Sequence, residues 1–136
     1  MGQGDSVSGP AVARQYSVLV VEDETIIRMM VAEHLRSKGY RVIEATSLNE
    51  AVAVFSSGEP TDIVFSDVNL SGTQGGLSLT VWVHEHFPAV PVILTSGNKA
   101  TVGRFRTGET VPFISKPYDP DEVERILVAF LNQSPS

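Results

Sequence analysis

Cysteine is absent from the chain, and with it go a disulfide framework, a thiolate metal site and cysteine-based nucleophilic catalysis. Histidine is scarce: His34, His84 and His86 are the three among 136 residues, which argues against a histidine-rich metal centre. Positive charge is outweighed, with 10 Lys and Arg against 16 Asp and Glu, a net charge of -6 and a pI of about 4.9. Such a balance speaks against direct nucleic-acid binding. No apolar run approaches the roughly 18–20 residues of a membrane span, and the opening MGQGDSVSGP lacks the basic start and apolar stretch of a secretory signal. What remains is a composition 42 % hydrophobic and 19 % charged, enough for one packed core. The expectation is a single soluble, cytoplasmic domain.

Apolar runs alternate with amphipathic stretches. Residues 1–14, rich in Gly, Ser and Gln, read as a flexible leader, 15–132 as the domain and 133–136 as a disordered tail. Tyr16–Val21 has no polar alternation, the pattern of a strand buried on both faces. Arg41–Ala45, Asp62–Ser66, Val90–Thr95 and Val111–Ser115 are four further strands. Between them lie a helix with Ile27, Met30, Val31, His34 and Leu35 on one face, ending at Gly39, and a second opened by the S-x-x-E spacing of Ser47 and Glu50. A third runs from Leu77 to Phe87 before Pro88, and the last carries Val123, Ile126, Leu127 and Phe130 inward. The stretch 97–110 holds three Gly and three Thr, so the helix between the fourth and fifth strands is expected to be short or irregular. Five buried strands with crossover helices predict a doubly wound α/β fold with a five-stranded parallel sheet and helices on both faces.

In such sheets ligands sit at the carboxyl ends of the strands. The first strand ends in Glu22-Asp23-Glu24, the third in Asp67, the fourth in Thr95-Ser96-Gly97 and the fifth in Lys116-Pro117. Carboxylates, a hydroxyl and an amine therefore converge on one rim. Clustered carboxylates repel unless a cation joins them; with no cysteine and no suitably spaced histidine, a hard ion with oxygen ligands fits, and Mg²⁺ fits best. A carboxylate can act as a nucleophile towards phosphorus, and phosphoryl transfer needs mainly positioning and charge neutralisation. The constellation reads as a phosphoryl-accepting site.

The segments VLVVEDE (Val18–Glu24), FSDVNLSG (Phe65–Gly72), PVILTSG (Pro91–Gly97) and FISKPYDP (Phe113–Pro120) resemble the receiver domains of two-component response regulators, from about Tyr16 to Leu131. The resemblance implies a flavodoxin-like sheet of strand order 2-1-3-4-5. It implies Asp67 as phospho-acceptor, with Mg²⁺ held by Glu22, Asp23, Asp67 and the backbone carbonyl of Asn69. It further implies Lys116 paired with the phosphoryl oxygens, Ser96 as the switch hydroxyl, Phe113 as the switch aromatic, and a cis Lys116-Pro117 bond. Ser96 and its neighbour Thr95 remain alternatives, since a register shift of one exchanges their faces. The implied partners are a sensor histidine kinase or a histidine phosphotransfer protein, a downstream protein, and a second copy as a homodimer. No enzymatic activity is expected beyond Mg²⁺-dependent self-phosphorylation and slow self-dephosphorylation, the latter tuned by Asn69 and Asn98.

Several positions depart from the pattern. Glu22 stands where many relatives have Asp, Ser71 where Pro is frequent, and Gly75-Gly76 suggests an extra loop residue. The short interval between Ser96 and Lys116 touches the face such domains commonly use for output. A non-switching interaction module is the main alternative; retention of Glu22, Asp23, Asp67 and Lys116 weighs against it. An aspartate-nucleophile phosphatase wants a D-x-D that Glu22-Asp23-Glu24-Thr25 does not offer, and no Ser/Thr-rich phosphate loop for FMN follows the first strand.

Overall fold

The computed structural model describes residues 15–97 and 111–133. The leader expected over 1–14 and the helix expected between the fourth and fifth strands, together with Asn98, lie outside the described residues; of the tail expected over 133–136, Gln133 instead closes the last helix and the rest lies outside them. The elements run β1 (Ser17–Val21), α1 (Thr25–Ser37), β2 (Arg41–Ala45), α2 (Leu48–Ser56), β3 (Ile63–Asp67), α3 (Gly75–His86), β4 (Val92–Ser96), β5 (Phe113–Ser115) and α4 (Pro120–Gln133). All strand pairs are parallel, in the order β2-β1-β3-β4-β5.

The three central strands are buried along their whole length, which is why they carry no polar alternation until their last residues. Pleating divides their side chains between two cores. On one face Val18, Val20, Phe65 and Ile93 pack against Val31 and Leu35 of α1 and Val123, Leu127 and Leu131 of α4. On the other, Leu19, Val21, Val64 and Leu94 meet Ala51 and Phe55 of α2 and Leu79 and Val83 of α3. The sheet is thus wound on both sides, as expected.

Boundaries differ from the sequence reading by one or two residues. β3 extends to Asp67 and β4 to Ser96, because parallel pairing with neighbours continues after apolar character stops. On α1 the expected Val31 and Leu35 are buried, with Ala32 beside them, and Ile27 and His34 are partly buried, but Met30, expected on the same face, is half-exposed. Apolar pairs at 26–27 and 29–30 make the apolar face wider than the contact with the sheet, and packing covers only part of it. α3 starts at Gly75 rather than Leu77, so the glycine pair lies inside the helix. The α2 cap is as read: Ser47 Oγ accepts from Glu50 N–H at 3.1 Å, a contact of about 1 kcal/mol. The Glu50 carboxylate turns back to Thr46, accepting from its N–H at 2.7 Å. Gly39 and Gly58, following α1 and α2, hold φ of +97° and +84°, the left-handed conformation that ends a helix without a Cβ clash.

Candidate functional site

β1, β3 and β5 end side by side in the sheet order, separated only by β4, so their C-terminal residues share one rim. Glu22 follows β1 and Asp67 closes β3, both almost fully buried; Asp23 is more open. One carboxylate oxygen from each of Glu22, Asp23 and Asp67 lies within 4.8 Å of the others. Lys116, after β5, reaches across: its Nζ donates to Asp67 Oδ2 at 2.9 Å and to Glu22 Oε1 at 3.2 Å. The Lys116-Pro117 peptide is cis.

Backbone groups complete the arrangement. Glu22 Oε2 accepts from Glu24 N–H at 3.1 Å, Asp67 Oδ1 from Asn69 N–H at 3.2 Å, and Asp23 Oδ2 from Ser71 N–H at 2.8 Å. Asp67 therefore also braces the loop that follows it, the modest role any strand-end Asp can play. The Ser71 bond depends on a tight turn at Leu70–Thr73, where Ser71 and Gly72 both have positive φ (55° and 78°) and Leu70 and Thr73 exchange backbone bonds. That pair of dihedral signs is the type I′ turn. Proline at 71 would have no N–H to give Asp23.

Three carboxylates faced by one ammonium leave the cluster with excess negative charge. Burial, reinforced by the charge of Asp67 and opposed by the Glu24 N–H and Lys116, pushes the Glu22 carboxyl up to about 7. Burial works against the Lys116 ammonium as well, but its hydrogen bond to Asp67 and the charges of Asp67 and Glu22 prevail, so its pKa is raised. The donor set is all oxygen, anionic and partly preorganised, which suits Mg²⁺ rather than a thiophilic metal.

The remaining expected residues lie on neighbouring strands. Thr95 is in register with Asp67, fully buried, and its Oγ1 has no hydrogen-bond partner. Ser96, one residue further and also buried, is bound through its backbone to Lys116 N–H at 3.1 Å. Phe113 is half-buried beside Leu94 on the α2/α3 side of the sheet. Asn69 is exposed, and its N–H is turned to Asp67.

Three participants were not legible as such. Gly76 lies so close to the end of β3 that a Cβ there would overlap the Asp67 carbonyl oxygen and come within 2.8 Å of Val68 Cα; the glycine pair signalled only a loop. Arg28 donates from Nη1 to the Glu22 carbonyl at 3.0 Å and from Nε to Glu44 Oε1 at 3.0 Å, tying the end of β1 to the edge strand. Tyr118, edge-on to Phe65 at 5.7 Å, buries a hydroxyl without a partner. Burial and then the charges of Glu22 and Asp67 push its pKa up. No local sequence signal distinguishes these last two from ordinary surface and core residues.

Comparison with known proteins places this arrangement in context. A family profile described as response regulator receiver domain matches residues 18–128. A putative response regulator NtrX-like protein of Rickettsia felis is 29 % identical over 83 % of this chain and 24 % of its own length. The phosphate regulon transcriptional regulatory protein PhoB of Pseudomonas aeruginosa is 30 % identical over 87 % of this chain and 52 % of its own. The chain thus spans about a quarter of the NtrX-like relatives it matches and about half of PhoB. Among solved structures, NtrX from Brucella abortus superposes with a TM-score of 0.77 at 28 % identity, covering 89 % of this chain and 27 % of that one. A response regulator receiver protein from Sinorhizobium medicae gives 0.81 at 20 % identity, covering 90 % and 98 %.

Proposed function

The chain belongs to the response regulator receiver domain family of two-component systems, and from that premise we propose that Asp67 accepts a phosphoryl group from a phosphohistidine presented by a sensor histidine kinase or a histidine phosphotransfer protein. The observation that carries the reading is the Lys116 ammonium seated between Asp67 and Glu22 at the rim. In the step, an Asp67 carboxylate oxygen bonds to phosphorus while the P–N bond breaks, and the departing ring nitrogen keeps the electron pair. Lys116 then pairs with the new phosphoryl oxygens instead of the free carboxylate. Glu22, Asp23, Asp67 and the Asn69 carbonyl are the groups that would hold Mg²⁺, whose role is to offset charge on the acids and on the transferred group. Ser96 supplies the hydroxyl that binds the phosphoryl group, and Phe113 follows it, changing a protein-binding face.

A donor surface adjoins the rim. Ile26, Met29 and Met30 of α1 are 72 %, 45 % and 48 % exposed. Beside them a cleft of about 300 Å³ is lined by Ile27, Met30, Lys116, Pro117 and Tyr118. Exposed apolar groups clustered next to a site are where a protein partner gains affinity. The domain has no substrate turnover of its own in this reading, beyond Mg²⁺-dependent self-phosphorylation and slow loss of the phosphoryl group. A cytoplasmic setting follows from such a donor; among the described residues no helix is long and apolar enough to cross a membrane.

The test is intact mass after incubation with phosphoramidate or acetyl phosphate, with and without Mg²⁺, on the wild-type chain and Asp67→Asn. One Mg²⁺-dependent phosphoryl adduct, lost in the variant, is expected. An adduct that survives Asp67→Asn defeats the acceptor assignment. No adduct under any condition favours a non-switching interaction module instead.

A further inference from the structure

Away from the rim, the C-terminal turn of α1 faces the first turns of α4. His34 comes from the former; Asp121 and Glu124, three residues apart and so on one helix face, come from the latter. One ligand atom from each lies within 4.8 Å of the other two. His34 Nε2 stands 3.0 Å from Asp121 Oδ1, yet this nitrogen, shut off from solvent, makes no hydrogen bond. The carboxylate oxygen is near enough to accept, but lies off the direction in which a ring N–H would donate. Two groups that approach to this distance without pointing at each other can share a third atom. Ligands bound to one ion at about 2.0–2.1 Å, at angles between square and tetrahedral, stand about 3 Å apart.

We infer that His34, Asp121 and Glu124 form a binding site for a divalent transition-metal ion of the Zn²⁺ class. An imidazole nitrogen with two carboxylates suits a borderline ion, and discriminates against Mg²⁺, which prefers oxygen throughout. Three protein ligands leave a further position for water. The site is separate in place and chemistry from the all-oxygen rim, so it stands whether or not Asp67 is phosphorylated. It also joins the two helices that share one core face, so a bound ion staples α1 to α4 at the surface edge of that contact and stabilises the fold by mass action. Asp121 and the half-buried Glu124 lie at the surface, so an ion can enter from solvent.

The experiment is calorimetric titration of the whole, untagged chain with ZnCl₂ in excess Mg²⁺, comparing wild type with His34→Gln, Glu124→Gln, His86→Gln and Asp67→Asn. A single Zn²⁺ site is expected, weakened at least about tenfold by His34→Gln and by Glu124→Gln, since even partners of a metal ligand cost that much. His86→Gln and Asp67→Asn should leave its affinity within about twofold. The His34 ring nitrogens should shift in NMR spectra on Zn²⁺ addition. Unchanged affinity in both His34→Gln and Glu124→Gln, loss in Asp67→Asn, or no Zn²⁺ binding by wild type would each overturn the inference. Far-UV circular dichroism without metal shows that each variant is folded, and Glu124→Gln, at the surface, keeps the test decisive should His34→Gln unfold.

Discussion

Glu22→Gln should make the metal-free protein more stable, and by an amount that depends on pH. Glu22 is buried to 3 % exposure, and that burial, with the charge of Asp67, raises its carboxyl to about 7 from 4.5. The unfolded chain releases this proton near 4.5 and the folded chain near 7. Between those values the folded state binds more protons, so stability falls as pH rises through the window, is unaffected below it, and stays lowered above it. At about 1.4 kcal/mol per tenfold, the full penalty is on the order of 3 kcal/mol, trimmed to about 2–3 by water at the open rim. Gln keeps the shape and an oxygen for the Glu24 N–H, and the penalty it removes is already net of the attraction to Lys116, which is one of the causes holding the Glu22 carboxyl down. The net expectation is a gain of about 2–3 kcal/mol at pH 8 that is mostly lost by pH 5 and absent below about pH 4. Urea unfolding in EDTA, followed by the fluorescence of Trp82, reads it as a shift in midpoint at constant slope. A variant no more stable than wild type at pH 8, or a gain that persists unchanged at pH 5, would refute the reasoning. Adding Mg²⁺ should then reverse the order, because the wild type retains the carboxylate that holds the ion.

Gly76→Ala should destabilise the fold by about 1–3 kcal/mol or more, the range for overpacking, and should slow acetyl phosphate labelling, because relief of the clash moves the Asp67 backbone; equal labelling and an unchanged melt would show the helix start yields freely. Thr95→Val should stabilise by about 1 kcal/mol, since it removes a buried hydroxyl without a partner and keeps the side-chain shape. Ser96→Ala should alter phosphoryl lifetime, read as the rate at which the mass adduct decays; if Thr95→Val alone changes the lifetime, the two hydroxyls exchange roles.

Much of this protein is legible in the chain because its signals are local. β-branched runs without polar alternation mark strands covered on both faces, and the S-x-x-E at Ser47 marks a helix start whatever else surrounds it. The rim was legible for a related reason: polar residues directly after apolar runs must lie where the strands leave the core, so the sequence places Glu22, Asp23, Asp67 and Lys116 on one edge. Tertiary structure alone decided the rest. On α1 the burial of Val31 and Leu35 was legible, but only packing against the sheet decided that Ala32 joins them while Met30, expected on the same face, stays outside with Ile26 and Met29. Gly76, Arg28 and Tyr118 matter through residues at least 8, 6 and 51 positions away, at the ends of other strands or within them. The meeting of His34 with Asp121 crosses two helices remote in sequence. Periodicity and turn chemistry act over a few residues and are written in order along the chain; close approach, burial and the energy of a charge depend on which distant elements the fold brings together.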